Sequence, residues 1–182
     1  MKVSLISTCT EPLSEREFVD PILKLVEKQY SLDQISYFHY DQLNNSSLIL
    51  ASDRIIICGT SLQDEDYLKN INRFKFILNS NVPTLGICSG MQIISLLGGS
   101  KIVVNREIGI IDVTTIEKNK LCEGNFQAFS IHNYSISENS KLKILATSSE
   151  APQVVKLSGI PIYGVSFHPE VRNETIISNF IL

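Results

Sequence analysis

A run of consecutive β-branched residues in the first third of the sequence limits the folds open to the chain. Ile55, Ile56 and Ile57 follow one another in Arg54-Ile55-Ile56-Ile57-Cys58 with no polar residue between them. A strand with one face in water would alternate apolar and polar residues, whereas a strand buried on both faces does not. Strands of the second kind belong to parallel sheets covered by helices. We therefore expect an α/β fold with a mostly parallel central sheet flanked by helices.

Strand and helix patterns alternate around this run. Further apolar runs predict strands over residues 3–6, 35–38 and 83–87, and helical spacing predicts helices over 14–29, 66–78 and 91–97. Pro21 marks a kink or a later start in the first helix. The second half changes to short strand-like segments, which predict a smaller antiparallel extension: 102–104, 110–116, 126–131, 142–146, 154–157 and 162–167. A last helix is predicted over 173–181, and without repeats or linkers we expect one domain, residues 1–182.

The composition excludes several classes of function. With 43% hydrophobic and 19% charged residues and a net charge of −3, the chain has the balance of a globular protein. Its basic residues are scattered, so we expect no nucleic-acid partner. No apolar run reaches the roughly 18 residues of a membrane span, and the first residues lack the apolar core of a signal peptide. These features predict a cytoplasmic protein without membrane contact.

The four cysteines stand apart in the sequence, with no CxxC pair among Cys9, Cys58, Cys88 and Cys122. This spacing argues against zinc, and a cytoplasmic setting argues against disulfides. We predict no metal and no organic cofactor. Three of the cysteines are interpreted as small buried hydrophobic residues, and the fourth, Cys88, has a different context.

Cys88 lies in Gly86-Ile87-Cys88-Ser89-Gly90, which has the G-x-nucleophile-x-G form of a nucleophile elbow with cysteine in place of serine. The nucleophile of such an elbow stands on a tight strand-to-helix turn, and the flanking glycines let the backbones approach. The helix amino terminus below the thiol favours the reactive thiolate. Taken alone, the five residues fit a catalytic cysteine and a buried structural cysteine equally well.

A histidine with a nearby carboxylate favours the catalytic interpretation. In Gly164-Val165-Ser166-Phe167-His168-Pro169-Glu170 a buried strand ends at His168, and Glu170 follows two positions later. A cysteine nucleophile needs a base that a third group orients. Both Cys88 and His168 follow predicted strands, and ligands of α/β folds bind at the carboxyl ends of strands. Without the elbow, His168 and Glu170 would be interpreted as an ordinary surface turn.

These two motifs together resemble those of the class I, triad-type glutamine amidotransferases, in Gly86-Ile87-Cys88-Ser89-Gly90-Met91-Gln92 and Phe167-His168-Pro169-Glu170. The resemblance implies a flavodoxin-like α/β core of roughly seven strands and hydrolysis of L-glutamine. It assigns Cys88, His168 and Glu170 to a catalytic triad. It further implies an oxyanion hole at Gly59 and Ser89, and substrate-binding positions at Gln92, Gly86 and Gly90.

Two segments concern the partner that the resemblance implies. Glutaminases of this family deliver ammonia to a synthetase, and the chain has neither a P-loop nor a Rossmann glycine pattern. We therefore expect a separate ATP-dependent synthetase subunit. The second half is most similar to the stand-alone glutaminase subunits of archaeal GMP synthetases, which assigns His132 and Asn133 to a surface that faces the partner. The chain lacks the acidic pair that usually follows this histidine.

The sequence leaves two alternatives open and shows one departure. A γ-glutamyl hydrolase or peptidase could use the same scaffold, and a non-catalytic regulatory subunit could retain it. The departure is the loop Cys58-Gly59-Thr60-Ser61, where the family commonly has glycine-glycine-proline. Thr60 cannot flip its peptide as a glycine can, so the resemblance alone does not establish a complete oxyanion hole.

Overall fold

The structure is a computed structural model that describes residues 1–43 and 47–182. Its strands are β1 (Val3–Ser7), β2 (Ile35–His39), β3 (Arg54–Ile57), β4 (Thr84–Ile87), β5 (Ile102–Thr115), β6 (Asn125–Ile136), β7 (Leu142–Thr147), β8 (Pro152–Leu157) and β9 (Ile162–Val165). Its α-helices are α1 (Glu15–Phe18), α2 (Asp20–Glu27), α3 (Ser47–Leu50), α4 (Asp66–Lys69), α5 (Ser89–Leu97) and α6 (Thr175–Ile181). Short 3₁₀ helices cover Pro12–Ser14, Leu32–Gln34, Tyr40–Gln42 and Ile71–Asn79.

The strands of the described residues form one nine-stranded sheet in the order β2-β1-β3-β4-β9-β8-β7-β5-β6. The five strands from β2 to β9 pair in parallel. Antiparallel pairs then continue the sheet from β9 through β8, β7 and β5 to β6. The predicted parallel sheet with an antiparallel extension is therefore confirmed, although the sheet has two strands more than the resemblance implied.

Two predicted helices are shorter than their apolar patterns suggested. The helix expected over 14–29 is divided at Val19, where φ is −113°, because Pro21 has no N–H for the preceding turn. The helix expected over 66–78 is α-helical only to Lys69 and continues as the 3₁₀ helix Ile71–Asn79. Here the side chain of Asn70 donates to the Asp66 carbonyl, which is the acceptor that its backbone N–H would need in a continuing α-helix.

Strand β5 joins two segments that the sequence pattern had separated, 102–104 and 110–116. The pairing with β6 shifts register between Val104 and Glu107, so one extra residue of β5 is accommodated in a β-bulge. The polar residues Asn105 and Arg106 lie in this bulge, which explains why they interrupt the apolar pattern without ending the strand. Strand β6 likewise extends to Ile136, beyond the predicted end at Ile131.

The core lies on both faces of the parallel strands. Strand β4 is buried along its whole length, and Ile55, Ile56 and Ile57 of β3 are fully buried. Among the described residues, no helix is long and apolar enough to cross a membrane. The carboxyl ends of β3, β4 and β9 lie side by side, and the residues that follow them are Cys58, Cys88 and Ser166. The sheet thus brings together the segments that hold the predicted site.

Candidate active site

Cys88 lies between β4 and α5 in a backbone conformation that is rare for a residue with a side chain, with φ of 50° and ψ of −105°. The predicted elbow is therefore present. A Cβ on Gly86 would lie 2.3 Å from the carbonyl oxygen of Gly90, and a Cβ on Gly90 would lie 2.4 Å from that of Ile57. Both glycines are thus required by close backbone packing beneath the turn. Neither lines the cavity beside Cys88, where the resemblance had suggested substrate contacts.

The thiol of Cys88 is 6% exposed and lies at the amino terminus of α5. Its backbone N–H donates to the Val165 carbonyl at 2.8 Å, which fixes the turn against β9. Its Sγ lies 3.8 Å from the Ile131 carbonyl oxygen of β6. The unpaired N–H groups of a helix amino terminus stabilise negative charge, so this position favours a thiolate.

His168 and Glu170 form a buried pair. The Nδ1 atom of His168 lies 2.7 Å from Oε1 of Glu170, and the two side chains are 1% and 0% exposed. The His168 backbone N–H donates to the Phe129 carbonyl, and the ring packs against Phe18 of α1 with centroids 5.3 Å apart. Because the Glu170 carboxylate accepts from Nδ1, it selects the tautomer of His168 with a proton on Nδ1. Within the described residues, Nε2 of His168 has no hydrogen-bond partner.

Gly59 is the point at which the imidazole and the cysteine meet. A Cβ built on Gly59 would lie 2.8 Å from Cε1 of His168 and 3.4 Å from Cβ of Cys88. Burial disfavours the charged imidazole, but interaction with Cys88 and then with Glu170 outweighs it and raises the pKa of His168 to about 10. The ring is therefore held as an imidazolium beside the sulfur of Cys88.

Two backbone N–H groups next to Cys88 lack acceptors. Within the described part of the chain, neither Gly59 nor Ser89 donates a backbone hydrogen bond. The Ser89 hydroxyl contacts the Thr8 hydroxyl at 2.8 Å, and Thr8 donates to the Cys58 carbonyl at 3.0 Å. These contacts fix the orientation of the peptide that bears the Gly59 N–H. Thr8 was not identified from the sequence, where nothing distinguishes it from other polar loop residues.

The loop after β3 adopts its conformation without strain at Thr60. Thr60 does not have a positive φ, and its hydroxyl donates to Oδ2 of Asp64 at 2.8 Å. Asp64 also accepts hydrogen bonds from the backbone and hydroxyl of Thr10. The loop is thus held by its acidic residue. Gly59 is needed for the space it leaves to His168, and the position of Thr60 requires no second glycine.

Gln92 lies on α5 one turn after Cys88 and is 5% exposed. Its Oε1 accepts from the Tyr67 hydroxyl at 2.6 Å, and its Nε2 donates to the Tyr134 carbonyl at 3.1 Å. Burial raises the pKa of Tyr67, which keeps the phenol protonated as a donor. Tyr67 is a site residue that sequence analysis missed, because its position in a helical apolar pattern resembles that of any core aromatic.

The cavity that Cys88, Gln92 and Tyr67 line is small, about 20 Å³. A single water molecule needs a space of roughly 10–15 Å³ by this kind of measure. Two contacts join the loop after β3 to strand β6 beside the cavity: the Tyr134 hydroxyl donates to Glu65 at 2.6 Å, and Nδ2 of Asn133 donates to the Leu62 carbonyl at 3.1 Å. A larger ligand therefore requires these two walls to separate.

His132 and Asn133, which the resemblance assigned to a partner-facing surface, both line this cavity. His132 is 3% exposed, so its side chain is turned into the protein. Its Nε2 lies 3.1 Å from Oε2 of Glu107. Asn133 remains half-buried. Among the described residues, no group of three or more His, Cys, Asp or Glu side chains is arranged to hold a metal ion.

The raised pKa of His168 generates a titration prediction. The imidazole is expected to stay protonated at pH 8 and to titrate near pH 10, as read from its ring chemical shifts. Because this value exceeds the 6.5 of an ordinary histidine, the stabilisation by the charged ring is complete below about pH 6.5. It is lost as the pH rises through about 10.

A Cys88→Ala variant provides the matched comparison for this titration. Since Cys88 makes the largest contribution that raises the pKa of His168, its removal lowers that pKa while the Glu170 contact remains. A ring that titrates near pH 6.5 in both proteins would contradict the charged pair.

Similarity to known proteins places this sequence in one family. Residues 23–181 match the family model described as Glutamine amidotransferase class-I. A subunit of the glutamine-hydrolysing GMP synthase of Pyrococcus abyssi is 32% identical over 137 residues, which are 67% of this chain and 70% of the relative. The glutamine-hydrolysing GMP synthase of Listeria monocytogenes is 31% identical over 145 residues, 70% of this chain but 27% of the longer relative.

The fold has a close counterpart among solved structures. The crystal structure of a putative GMP synthase subunit from Thermoplasma acidophilum matches with a TM-score of 0.85 and 21% identity. The match covers 100% of this chain and 92% of that one. The family model spans most of the chain and includes the segments that bear Cys88, His168 and Glu170. The chain therefore belongs to the class I glutamine amidotransferases.

Proposed function

We propose that this chain hydrolyses the side-chain amide of L-glutamine to glutamate and ammonia through a triad of Cys88, His168 and Glu170. The observation that supports this proposal is the junction at Gly59. There an elbow cysteine adjoins an imidazole that a buried carboxylate holds at 2.7 Å. This arrangement has the three parts of nucleophilic acyl transfer: a nucleophile, a base next to it and a group that orients the base.

In the first half of the reaction, the Cys88 sulfur attacks the amide carbon and a C–S bond forms. The proton on the charged His168 ring passes to the amide nitrogen, the C–N bond breaks and ammonia leaves. Glu170 holds one proton of the charged ring on Nδ1, so the second proton, on Nε2, is the one that is transferred. The free Nε2 in the structure is the atom available for this transfer.

In the second half, water replaces ammonia at the γ-glutamyl thioester. The neutral His168 ring accepts a proton from the water as the water oxygen bonds to the thioester carbon. The C–S bond breaks, glutamate leaves and the charged pair of imidazolium and thiolate is restored. No redox step or metal is needed for this sequence, and the two half-reactions sum to amide hydrolysis.

Both tetrahedral intermediates carry a negative oxygen. The unpaired N–H groups of Gly59 and Ser89 flank Cys88 and are the donors we assign to it. The contacts of Thr8 with Ser89 and with the Cys58 carbonyl hold both donors in place before substrate binds. Removal of one such donor costs about 3 kcal/mol of transition-state stabilisation.

The enzyme that accepts the ammonia is inferred from the relatives of this chain. The relatives at 31–32% identity are named as glutamine-hydrolysing GMP synthases or as one of their subunits, and this chain aligns with about a quarter of the longer protein from Listeria monocytogenes. We infer that a separate ATP-dependent synthetase, a GMP synthetase, uses the ammonia made here. A pull-down with that synthetase and an assay for glutamine-dependent GMP formation test the assignment.

The glutaminase proposal is tested by covalent labelling. A glutamine-like diazoketone is expected to alkylate Cys88 alone. Burial raises the pKa of the Cys9 and Cys58 thiols and leaves them unreactive, and Cys122 lies outside the cavity in which a glutamine-like reagent would bind. Glutamine in excess should protect the site. The adduct is located by mass spectrometry of the digested protein.

Variants of the triad sharpen this test. Glu170→Gln keeps the shape of the side chain but weakens the hold on the His168 ring, so labelling should slow by about 100-fold. Labelling at another residue, or at Cys88 without protection by glutamine, would contradict the proposal. Protection by γ-glutamyl peptides but not by glutamine would instead identify a γ-glutamyl hydrolase.

The small volume of the cavity leads to a separate prediction about how the substrate enters. Glutamine does not fit in 20 Å³, so the contact between Glu65 and Tyr134 has to open. We expect Tyr134→Phe, which removes that hydrogen bond, to increase the labelling rate at low diazoketone concentration about threefold, as suits a weak exposed contact.

The control is Asp66→Asn, which breaks the exposed ion pair with Lys69 within α4, directly after the same loop, without touching β6. Its labelling rate should equal that of the parent chain. Unchanged or slower labelling of Tyr134→Phe would show that this contact does not limit entry.

A further inference from the structure

A buried polar cluster lies behind the wall of the active-site cavity, on the side away from Cys88. We define the wall cluster as Glu107, His132, Gln153 and Ser166, which are between 0% and 6% exposed. His132 lines the cavity, and Ser166 lies two residues before His168. The cluster therefore connects the strand that forms the cavity wall with the strand that leads to the imidazole.

Glu107 is the centre of the wall cluster. Its Oε1 accepts from the Ser148 hydroxyl at 2.8 Å, and its Oε2 accepts from Nε2 of Gln153 at 2.6 Å. The Ser166 hydroxyl donates to Oε1 of Gln153. Although burial opposes ionisation, the contacts with His132, Ser148 and Gln153 lower the pKa of Glu107. The carboxylate is thus charged and faces Nε2 of His132 at 3.1 Å.

The His132 ring lies between the carbonyl of Asn105 and the carboxylate of Glu107. Nδ1 lies 3.2 Å from the carbonyl of Asn105, which can only accept, so Nδ1 bears a proton. Nε2 lies 3.1 Å from Oε2 of Glu107, a close polar contact that among the described residues lacks the alignment of a hydrogen bond. Asn105 lies in the β-bulge opposite this segment of β6, and the bulge turns Glu107 inward. His132 is therefore held from both sides.

The segment that His132 belongs to makes three contacts with the active site. The Ile131 carbonyl oxygen lies 3.8 Å from Sγ of Cys88, and the Tyr134 carbonyl accepts from Nε2 of Gln92. Between them, Asn133 donates to the Leu62 carbonyl. A shift of His132 would move all three groups, because they lie on neighbouring residues of one strand.

From these contacts we infer that Glu107 is a positioning residue for glutamine hydrolysis, which acts through His132 to hold residues 131–134 as the fixed wall of the glutamine pocket. The inference rests on the proposed function. The opposite wall, the loop after β3, is held on this side by an exposed contact of Glu65 and a half-buried contact of Leu62, and is the wall we expect to move. Because one wall of the pocket is fixed while the opposite wall moves, a bound substrate has a defined position relative to Cys88.

The test measures diazoketone labelling of Cys88 over a range of reagent concentrations, which separates half-saturation from maximal rate. Glu107→Gln removes the charge that faces His132, and we expect the half-saturating concentration to rise about 10-fold. The maximal rate should change less than about twofold, because the triad does not touch Glu107. Ser148→Ala is the matched control, since it removes a hydrogen bond to the same carboxylate on the side away from His132. Its two labelling constants should equal those of the parent chain.

Further variants show whether Glu107 acts through His132. In a His132→Asn background, Glu107→Gln should have no additional effect on half-saturation, because the two groups act as one unit. Additive effects, or equal effects of Glu107→Gln and Ser148→Ala, would overturn the inference. If Glu107→Gln unfolds, Glu107→Asp retains the charge but withdraws it from Nε2 and should raise half-saturation as well. An Asp variant with the parent's half-saturation would also overturn the inference.

The outcome for the parent chain separates this inference from the proposed function. A parent chain that is not labelled contradicts the proposed function. In that case, the position of residues 131–134 is followed by the NMR chemical shifts of the backbone amides of Ile131 and Tyr134. These shifts should change in Glu107→Gln and stay unchanged in Ser148→Ala, and the reverse result would overturn the role of Glu107.

Discussion

The turn at Cys88 exists because three backbone segments touch beneath it. The close approaches of Gly86 to Gly90 and of Gly90 to Ile57 leave no room for a side chain, and they fix how α5 meets β3 and β4. With this packing, Cys88 is held at φ of 50° at the start of α5. The loop after β3 then lies beside the sulfur, which places Gly59 next to both Cys88 and His168.

The antiparallel extension brings His168 to this turn. The chain leaves the parallel sheet after α5, forms β5 to β8 and returns as β9, which pairs with β4. On the way, β6 passes over the site, and the carbonyls of Ile131 and Tyr134 contact Cys88 and Gln92. The extension is thus part of the site. It provides the cavity wall and, through the buried contact of Glu107 with His132, the support for that wall.

The sequence predicted those parts of the structure that depend on local chemistry. The run of isoleucines indicated a doubly covered parallel sheet, and the spacing of glycines around Cys88 indicated its turn. Other parts depend on contacts between residues far apart. Tyr67, Thr8 and Phe18 belong to the site through partners 25, 81 and 150 positions away. The inward orientation of His132 depends on a bulge in β5, and no residue pattern in β6 indicates it. Helix lengths were overestimated where Pro21 and Asn70 interrupt an otherwise helical apolar pattern.

In the proposed reaction, the Cys88 sulfur forms a covalent bond to the glutamyl group of glutamine beside the buried pair of His168 and Glu170. Its most direct test is to mix the protein with glutamine, quench in acid within the first turnovers and determine the mass of each cysteine-containing peptide. We expect a γ-glutamyl thioester on the Cys88 peptide of the parent chain and none in Cys88→Ala. A synthetase-bound sample in which glutamine is consumed while Cys88 stays unmodified, or in which Cys88→Ala still releases ammonia, would contradict it.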